Sequence, residues 1–496
     1  MPATMSEPIT DYANHIAGSA VAARSGRTLD MTNPATGQVW ARIPRSDAAD
    51  VDAAVTAATA AATEWSRLDA KARAGHLRAL AEVTRQHIRE LADLETLDTG
   101  RVIKETLYGH LPTCVEILHF FAGAADKLHG ETVNVGHASF NFTRREPLGV
   151  VGLVLPWNSP MSLITAKAGA ALAAGNTIVV KPAEQACCSI LRWTQLFAEA
   201  GFPAGVINVV TGLGEEAGTA LVRHPGVARI SFTGSTETAR IIMAEASGTL
   251  KQLHFELGGK SPNIVFADAD LDAATLGVTR TGVFTANAGQ SCIAGSRILV
   301  QRPIFEEMVA RISAVAAELV VGDPFDENSD IGAIVSPEQL ARVSSYLKLG
   351  RDDERLQLLF GGRTSPELFA PESPLGPGWF VEPTLFRAAG NDSRLASEEI
   401  FGPVAVIVPF EDEAEALAIA NGTDYGLAAG VWTSDLKRAH RMIRDLDAGN
   451  VWVNAYPRIH WALPFGGMKD SGFGKDSGVE SVLENTRIKT AWIDLA

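Results

Sequence analysis

The stretch Thr285-Ala-Asn-Ala-Gly-Gln-Ser-Cys292-Ile-Ala-Gly-Ser-Arg297 sets a single cysteine among small and polar residues. A thiol attacks as its thiolate, so a nucleophilic cysteine wants a polar, partly open backbone and neighbours that favour the anion. Gly289, Gln290, Ser291 and Gly295 supply that kind of setting, although a free cysteine is equally at home as a small buried hydrophobe. Its company decides between the two. Glu256, in His254-Phe-Glu256-Leu-Gly-Gly-Lys260-Ser-Pro262, stands between apolar Phe255 and Leu257. Such surroundings raise a carboxyl pKa and suit a general base; a chance charge at a strand end is the other reading. Lys181-Pro-Ala-Glu184 places an ammonium and a carboxylate three residues apart. They can donate to and accept from ribose hydroxyls, the carboxylate also repelling a 2′-phosphate, or simply form a surface ion pair. Glu398-Glu399-Ile-Phe401-Gly402-Pro403 adds another carboxylate and an aromatic beside a tight turn, with no function legible on its own.

Two loops compete for a phosphate. Gly212-Leu-Gly214-Glu-Glu-Ala217 meets the spacing of a dinucleotide fingerprint after a strand. Phe232-Thr-Gly234-Ser235-Thr-Glu237 also leads from a strand into a helix, whose free N–H groups and positive dipole end attract phosphate oxygens. The residues alone do not choose between them.

These stretches need a frame to hold them. A chain of 496 residues is too long for one core, so two or three domains are expected. Helical spacing runs over 48–65 and 71–98, Gly100 closing the latter, and again over 107–128. From 131 to 146 the alternation of Val133, Val135, Phe140 and Phe142 predicts a strand pair, which is marginal alone and is expected to lie on a partner or another domain. Strands over 149–155, 177–181, 206–210 and 227–232 alternate with helices, the pattern of a parallel doubly wound sheet. A second α/β stretch follows residue 256, with strands near 263–266, 297–300, 404–410 and 449–454. Ligands in such sheets bind at the carboxyl ends of the strands, and the motifs are expected there.

Composition narrows the classes further. Forty-three Lys and Arg against 58 Asp and Glu give −15, which argues against nucleic acid or an anionic membrane as partner. Four cysteines in so long a chain do not make a disulfide framework, and vicinal Cys187 and Cys188 fit neither a zinc site nor a redox motif, so no metal is expected. The first eight residues lack a leader pattern, no apolar run of about 18 residues occurs, and a cytoplasmic protein is expected.

At this point the chain resembles the aldehyde dehydrogenase superfamily. Pro156-Trp-Asn158, Lys181-Pro-Ala-Glu184, Phe232-Thr-Gly-Ser235, Phe255-Glu256-Leu-Gly-Gly-Lys-Ser-Pro262, Gly289-Gln-Ser-Cys292, Glu399-Ile-Phe401-Gly-Pro403 and Pro464-Phe465-Gly-Gly467 appear in the family's order, across about 32–487. The resemblance implies the NAD-dependent, non-phosphorylating, hydrolytic type. Cys292 would attack the aldehyde carbonyl to form a thiohemiacetal, with the Asn158 amide donating to the oxyanion. Hydride transfer would leave a thioester, hydrolysed by water that Glu256 activates, with Lys167 assisting proton movement. Preorganised oxyanion donors are typically worth about 10²–10³ in rate. For NAD, the resemblance assigns Lys181 and Glu184 to the adenosine ribose, Gly234 and Ser235 to the pyrophosphate, and Glu399 and Phe401 to the nicotinamide half. The Gly214 loop would then lie near the adenine.

The implied fold has a Rossmann-like cofactor domain (1–126 and 148–256), an α/β catalytic domain (257–470) and a small β oligomerisation element (127–147 and 471–496). A homodimer or a tetramer of two dimers is expected. Departures from the family bear on substrate. Ser159 and Ala166 stand where several small-aldehyde members carry bulky aromatics, implying a wider tunnel. The entrance segment carries its own Arg458, His460 and Trp461 before Phe465, and Ser291 and Ile293 flank the nucleophile. A bulky aromatic, terpenoid or longer-chain aldehyde is expected, with Arg458 or His460 reading a polar group or else merely solvated. Two other functions stay in view: an acylating relative that passes the acyl group to coenzyme A, which a water-activating Glu256 opposes, and a non-catalytic binding or structural protein on the same fold.

Overall fold

The computed structural model describes residues 9–495; the first eight, read above for a leader, lie outside it. Two sheets organise the chain. The first has five parallel strands, lying in space as Ile207–Val209, Thr177–Lys181, Val150–Val154, Arg229–Thr233 and Gln252–Glu256. The chain starts in the middle, runs out to one edge, returns and runs out to the other. That is a doubly wound order, with its switch point between Val150–Val154 and Arg229–Thr233. Antiparallel strands flank this core, Asn14–Ile16 beside Ile207–Val209 and Gly472–Phe473 beside Gln252–Glu256. The second sheet aligns Thr384–Arg387, Val404–Phe410, Arg297–Gln301, Pro262–Val265, Ala428–Trp432 and Asn450–Val453 in parallel.

The two sheets face the site with opposite ends. Asn158, Lys181, Ser235 and Glu256 sit at or just beyond the carboxyl ends of first-sheet strands, as the doubly wound rule leads one to expect. Cys292 and Glu399 do not follow it: they precede Arg297–Gln301 and Val404–Phe410, at the amino ends of the second sheet. Only residues 257–261 separate Gln252–Glu256 from Pro262–Val265, so a short turn joins the sheets at the site.

Local sequence explains the supporting helices. Ala48–Arg67 starts with a capping box between Asp47 and Asp50 and buries small residues, Val51, Ala54, Val55 and Ala58. Thr177 Oγ1 donates to the Ala58 carbonyl at 2.9 Å, fixing the helix on the sheet. Pro160–Ala173 starts with proline at its first position, two residues after Asn158. At Gly169 a β-carbon would stand 2.5 Å from the Phe121 ring, so glycine is what lets helix Leu111–Ala124 approach.

Two expectations are corrected. The helix expected over 71–98 is two, Ala70–Gln86 and Ile88–Thr99, broken at His87, where ψ is 13°. Hydrophobic spacing continues across the break, which is why periodicity misses it; Gly100, at φ 73°, closes the second helix as expected. The strand pair expected within 131–146 is a single strand, Ser139–Pro147, joined to Thr132 by an isolated bridge. Its ladder partner is Thr486–Asp494, paired in register from Thr486 with Pro147 to Asp494 with Ser139. Among the described residues no helix is long and apolar enough to cross a membrane.

Candidate active site

The loop that leads to Cys292 is built on unusual backbone. Asn287, Ala288 and Gly289 all have positive φ, at 52°, 52° and 71°, a left-handed run that costs non-glycine residues about 1–2 kcal/mol each. A β-carbon at Gly289 would stand 2.2 Å from the Gly402 carbonyl oxygen, so the loop is pressed against Gly402-Pro403. Buried Gln290 anchors it: Nε2 donates to Asn287 O at 3.0 Å and Ala333 O at 3.2 Å, and Oε1 accepts from Val335 N at 3.0 Å.

Asn158 is tied to this loop in both directions. Its Nδ2 donates to Gln290 O at 3.0 Å, and its carbonyl accepts from Asn287 Nδ2 at 3.0 Å. Buried Arg101 donates to the same carbonyl at 2.8 Å and to Ser159 Oγ at 3.0 Å. One amide N–H of Asn158 is thus used to hold it beside the nucleophile loop, and the side chain has a second to offer.

The half-buried Cys292 packs with Ile293, Leu427, Ala428 and Phe465. Burial, then Glu399, then Glu256 push its thiol up to about 12, against a smaller opposing pull from the Ile293 and Cys292 main-chain N–H groups. The expectation of an anion-favouring setting is therefore corrected: burial first, then two carboxylates brought from elsewhere in the chain, disfavour the thiolate despite the polar residues adjacent in sequence.

Glu256 is 4% exposed, and neither of its carboxylate oxygens has a hydrogen-bond partner. Burial holds its carboxyl well above the usual range, as its apolar neighbours led one to expect, and Asp476 adds to the rise while Lys167 and Lys475 oppose it. Lys167 lies on helix Pro160–Ala173, and its Nζ donates to Asp476 Oδ2 at 2.8 Å and Ser231 Oγ at 3.0 Å. Asp476 and Ser231 escape sequence reasoning because no local spacing links them to Glu256.

Lys181, Glu184 and Ser235 lie at or just beyond the carboxyl ends of first-sheet strands, and Glu399 and Phe401 precede strand Val404–Phe410 of the second. Lys181 Nζ and Glu184 Oε2 are 2.8 Å apart. Ser235 caps the eleven-residue helix Thr236–Ala246, Oγ accepting from Thr238 N at 3.2 Å, and the first-turn N–H groups of such a helix have no intrahelical acceptor. After Gly214 the chain instead makes a five-residue π turn and the short helix Thr219–Arg223. Glu399 Oε1 accepts from Gly259 N at 2.9 Å, and burial pushes its carboxyl up to about 7. Phe401, at φ 64°, sets its ring edge-on to Trp157 at 5.2 Å. Gln339 and Arg342, which the sequence did not single out, hold this segment through the Phe401 and Glu399 carbonyls at 2.8 and 2.6 Å. A helix N-terminus able to donate to phosphate and an ammonium–carboxylate pair able to serve ribose hydroxyls form a donor set that suits a dinucleotide.

On the substrate side, Ser159 and Ser291 are half-buried and Ala166 is buried on the helix that carries Lys167. Trp461 packs on the first core, with His460 stacked on it at 4.4 Å. His460 Nδ1 accepts from Ala462 N at 3.1 Å, and exposed Arg458 lends its carbonyl to Trp452 Nε1 at 2.6 Å. The structure therefore brings Ile293 and Phe465 to the nucleophile and leaves Arg458 and His460 outward.

Residues 21–491 match the model of the aldehyde dehydrogenase family. The Bacillus subtilis protein DhaS is 43% identical over 483 residues, covering 97% of this chain and 95% of its own. A Bacillus cereus aldehyde dehydrogenase solved as an NAD+ complex is 39% identical, with a TM-score of 0.94 over 98% of this chain and 97% of its own. The Pseudomonas syringae indole-3-acetaldehyde dehydrogenase AldA, a cysteine-to-alanine mutant solved with NAD+ and IAA, is 39% identical, with a TM-score of 0.95 over 99% of this chain and 98% of its own. The chain belongs to the aldehyde dehydrogenase family.

Proposed function

We propose that this chain oxidises an aldehyde to its carboxylic acid with NAD, through covalent intermediates on Cys292. Cys292 Sγ attacks the carbonyl, and the Asn158 amide and the Cys292 main-chain N–H stabilise the oxyanion. Lys181, Glu184, Gly214, Gly234, Ser235, Glu399 and Phe401 would hold NAD, which would supply a hydride acceptor. Glu256 then takes a proton from the water that cleaves the Cys292 thioester and releases the acid, with Lys167 assisting proton movement.

The observation that carries this reading is Glu256: a buried carboxylate whose two oxygens have no protein partner, in a site shared with the cysteine. A water-activating base there disfavours transfer to coenzyme A. The thiol's high pKa fits a nucleophile that is quiet until cofactor and substrate bind. Mixing protein, NAD and a panel of aldehydes while following the reduced-cofactor absorbance tests the reading. Aldehyde-dependent reduction with release of free acid is expected, and NAD binding without turnover on any aldehyde would overturn it.

The substrate proposed is a bulky aromatic, terpenoid or longer-chain aldehyde. Small Ser159 and Ala166 beside the catalytic groups, and an apolar wall of Ile293 and Phe465, support this. The relative named for indole-3-acetaldehyde is a related precedent. We also propose that Ser139–Pro147 and Thr486–Asp494, with residues 127–147 and 471–496 as their wider segments, mediate a dimer or tetramer. The ladder exposes Trp492 at 66% together with Ile488, Ile493 and Phe140, an apolar surface that suits association.

A further inference from the structure

One buried titratable group beside the base has no part in the chemistry above. His254 lies on strand Gln252–Glu256, two residues before Glu256 and on the same face. Its ring is buried, Nδ1 stands 2.8 Å from Ser231 Oγ, and Nε2 has no hydrogen-bond partner. Nε2 faces Glu256 Oε1 at 3.7 Å, just beyond hydrogen-bond range, so a small rotation of the Glu256 side chain closes the gap. Gly474, at φ 86°, gives the ring its room: a β-carbon there would stand 2.3 Å from His254 Cδ2.

We propose that His254 is a positioning residue for Glu256, holding the base in its ionised state and tying it through Ser231 to the Lys167–Asp476 ion pair. This rests on the reading of Glu256 as the base for thioester hydrolysis.

The hydrogen bonding follows from which groups can donate. Lys167 only donates, so Ser231 Oγ accepts from it at 3.0 Å. When Glu256 is ionised, the matched arrangement has the Ser231 hydroxyl donating to Nδ1 and Nε2–H pointing at the carboxylate. The imidazole stays neutral in this role: burial, then Lys167, push it down to about 3, with Arg229 and Lys475 adding to the fall and Asp476 opposing it. The charges facing the pair come from every side: Lys167 on its helix, Arg229 on the neighbouring strand, and Lys475, Asp476 and Glu484 from the C-terminal segment. Around the unpartnered oxygens of Glu256, burial, Asp476 and Glu484 oppose ionisation, and Lys167 and Lys475 favour it without hydrogen-bonding to the carboxylate. A neutral N–H donor is what such a carboxylate needs in order to ionise.

The test uses the full-length enzyme and compares His254→Leu, His254→Gln and Ser231→Ala with wild type. Melting temperature, the burst and steady-state phases of NAD reduction, and the pH profile of the steady state are recorded. In His254→Leu the ascending limb of the pH profile is expected to move about one unit alkaline, which is about tenfold in turnover at a pH below both limbs. The burst should persist. His254→Gln, which keeps an amide N–H, should recover most of the loss, and Ser231→Ala should shift the limb in the same direction by less. A folded His254→Leu enzyme with the wild-type limb and burst-to-steady-state ratio overturns the inference. If His254→Leu does not fold, an unshifted Ser231→Ala enzyme overturns it. Wild type that reduces no NAD with any aldehyde overturns the functional reading and this inference together, whereas active wild type with unshifted variants overturns this inference alone.

Discussion

Glu399 accepts a hydrogen bond of 2.9 Å from the Gly259 N–H, fastening segment 398–403 to the turn that follows Glu256. The contact needs both glycines of that turn: a β-carbon at Gly258 would stand 2.3 Å from Glu399 Oε2, and one at Gly259 would stand 2.5 Å from the Cys292 carbonyl. One carboxylate thus touches the junction between the sheets and acts electrostatically on the thiol.

That position makes thiol reactivity depend on Glu399 charge. Burial pushes its carboxyl up to about 7, so its pressure on Cys292 appears only as pH rises through neutrality. Glu399→Gln keeps an acceptor for Gly259 and removes the charge. Without cofactor, alkylation of Cys292 by iodoacetamide should match wild type below pH ~6 and run about threefold faster at pH ~9, which corresponds to half a pKa unit. Equal rates throughout would show that Glu399 does not act on the thiol.

The role of Glu256 predicts a split between two phases. Its carboxyl sits well above the ordinary range, and a general base works only when ionised, so steady-state turnover should keep climbing with pH above the range where an ordinary carboxyl has already ionised. Glu256→Gln should still give a rapid burst of reduced cofactor equal to the site concentration, followed by a stall at the thioester. Cys292→Ala should give neither phase. A stopped-flow trace of Glu256→Gln without a burst would place Glu256 before hydride transfer.

Arg101 holds Asn158, the proposed oxyanion donor, through its carbonyl. Arg101→Met removes its bonds to Asn158 O and Ser159 Oγ and leaves half-buried Glu105 without its Arg101 partner at 3.7 Å, with only the weaker pull of Lys104. Because burial already pushes Glu105 up to about 7, it can take a proton, and the cost should fall near the low end for a broken buried pair, about 3 kcal/mol. Turnover should drop about tenfold while NAD affinity by calorimetry stays within twofold. A weakened NAD affinity with unchanged turnover would remove Arg101 from the oxyanion side.

The left-handed run predicts opposite effects at adjacent residues. Gly289→Ala drives a β-carbon to 2.2 Å from a backbone oxygen at φ 71° and should cost about 2 kcal/mol or more. Ala288→Gly relieves a positive φ of 52° and should leave the melting temperature unchanged or raise it. Thermal unfolding of both variants checks the pair.

Association through the exposed ladder predicts that Trp492→Asp or Ile488→Asp yields a smaller species by light scattering at micromolar concentration. A wild-type monomer would remove this surface as an oligomer contact.

What the sequence revealed depended on whether a signal was local. The strand-to-turn stretches around Asn158, Lys181, Ser235, Glu256 and Cys292 carry contiguous residue patterns, and the strands expected beside Asn158, Lys181, Ser235 and Cys292 fall within two residues of those observed at each end, whereas strand Gln252–Glu256 had no expected bounds. The Ser139–Pro147 partner lies some 340 residues away, so alternation showed a strand but not its mate. The thiol's environment differs from its sequence neighbourhood for the same reason: burial, and the Glu399 and Glu256 carboxylates delivered by folding, set it. His254, Ser231 and Asp476 meet only because a helix, two strands and the C-terminal segment converge. Only the assembled fold supplies that proximity.

Segment 457–463 contains neither strand nor helix, and its anchors are few: Trp461 against the first core, the Trp461 carbonyl accepting from Gly478 N, and the Arg458 carbonyl on Trp452. The groups placed for attack and hydrolysis are instead locked by glycine-tight contacts between the two sheets. Evolution therefore meets two different tolerances within one chain. Exchanges along the entrance segment can accumulate without disturbing the chemistry, so paralogues that keep the same reaction can diverge in diet.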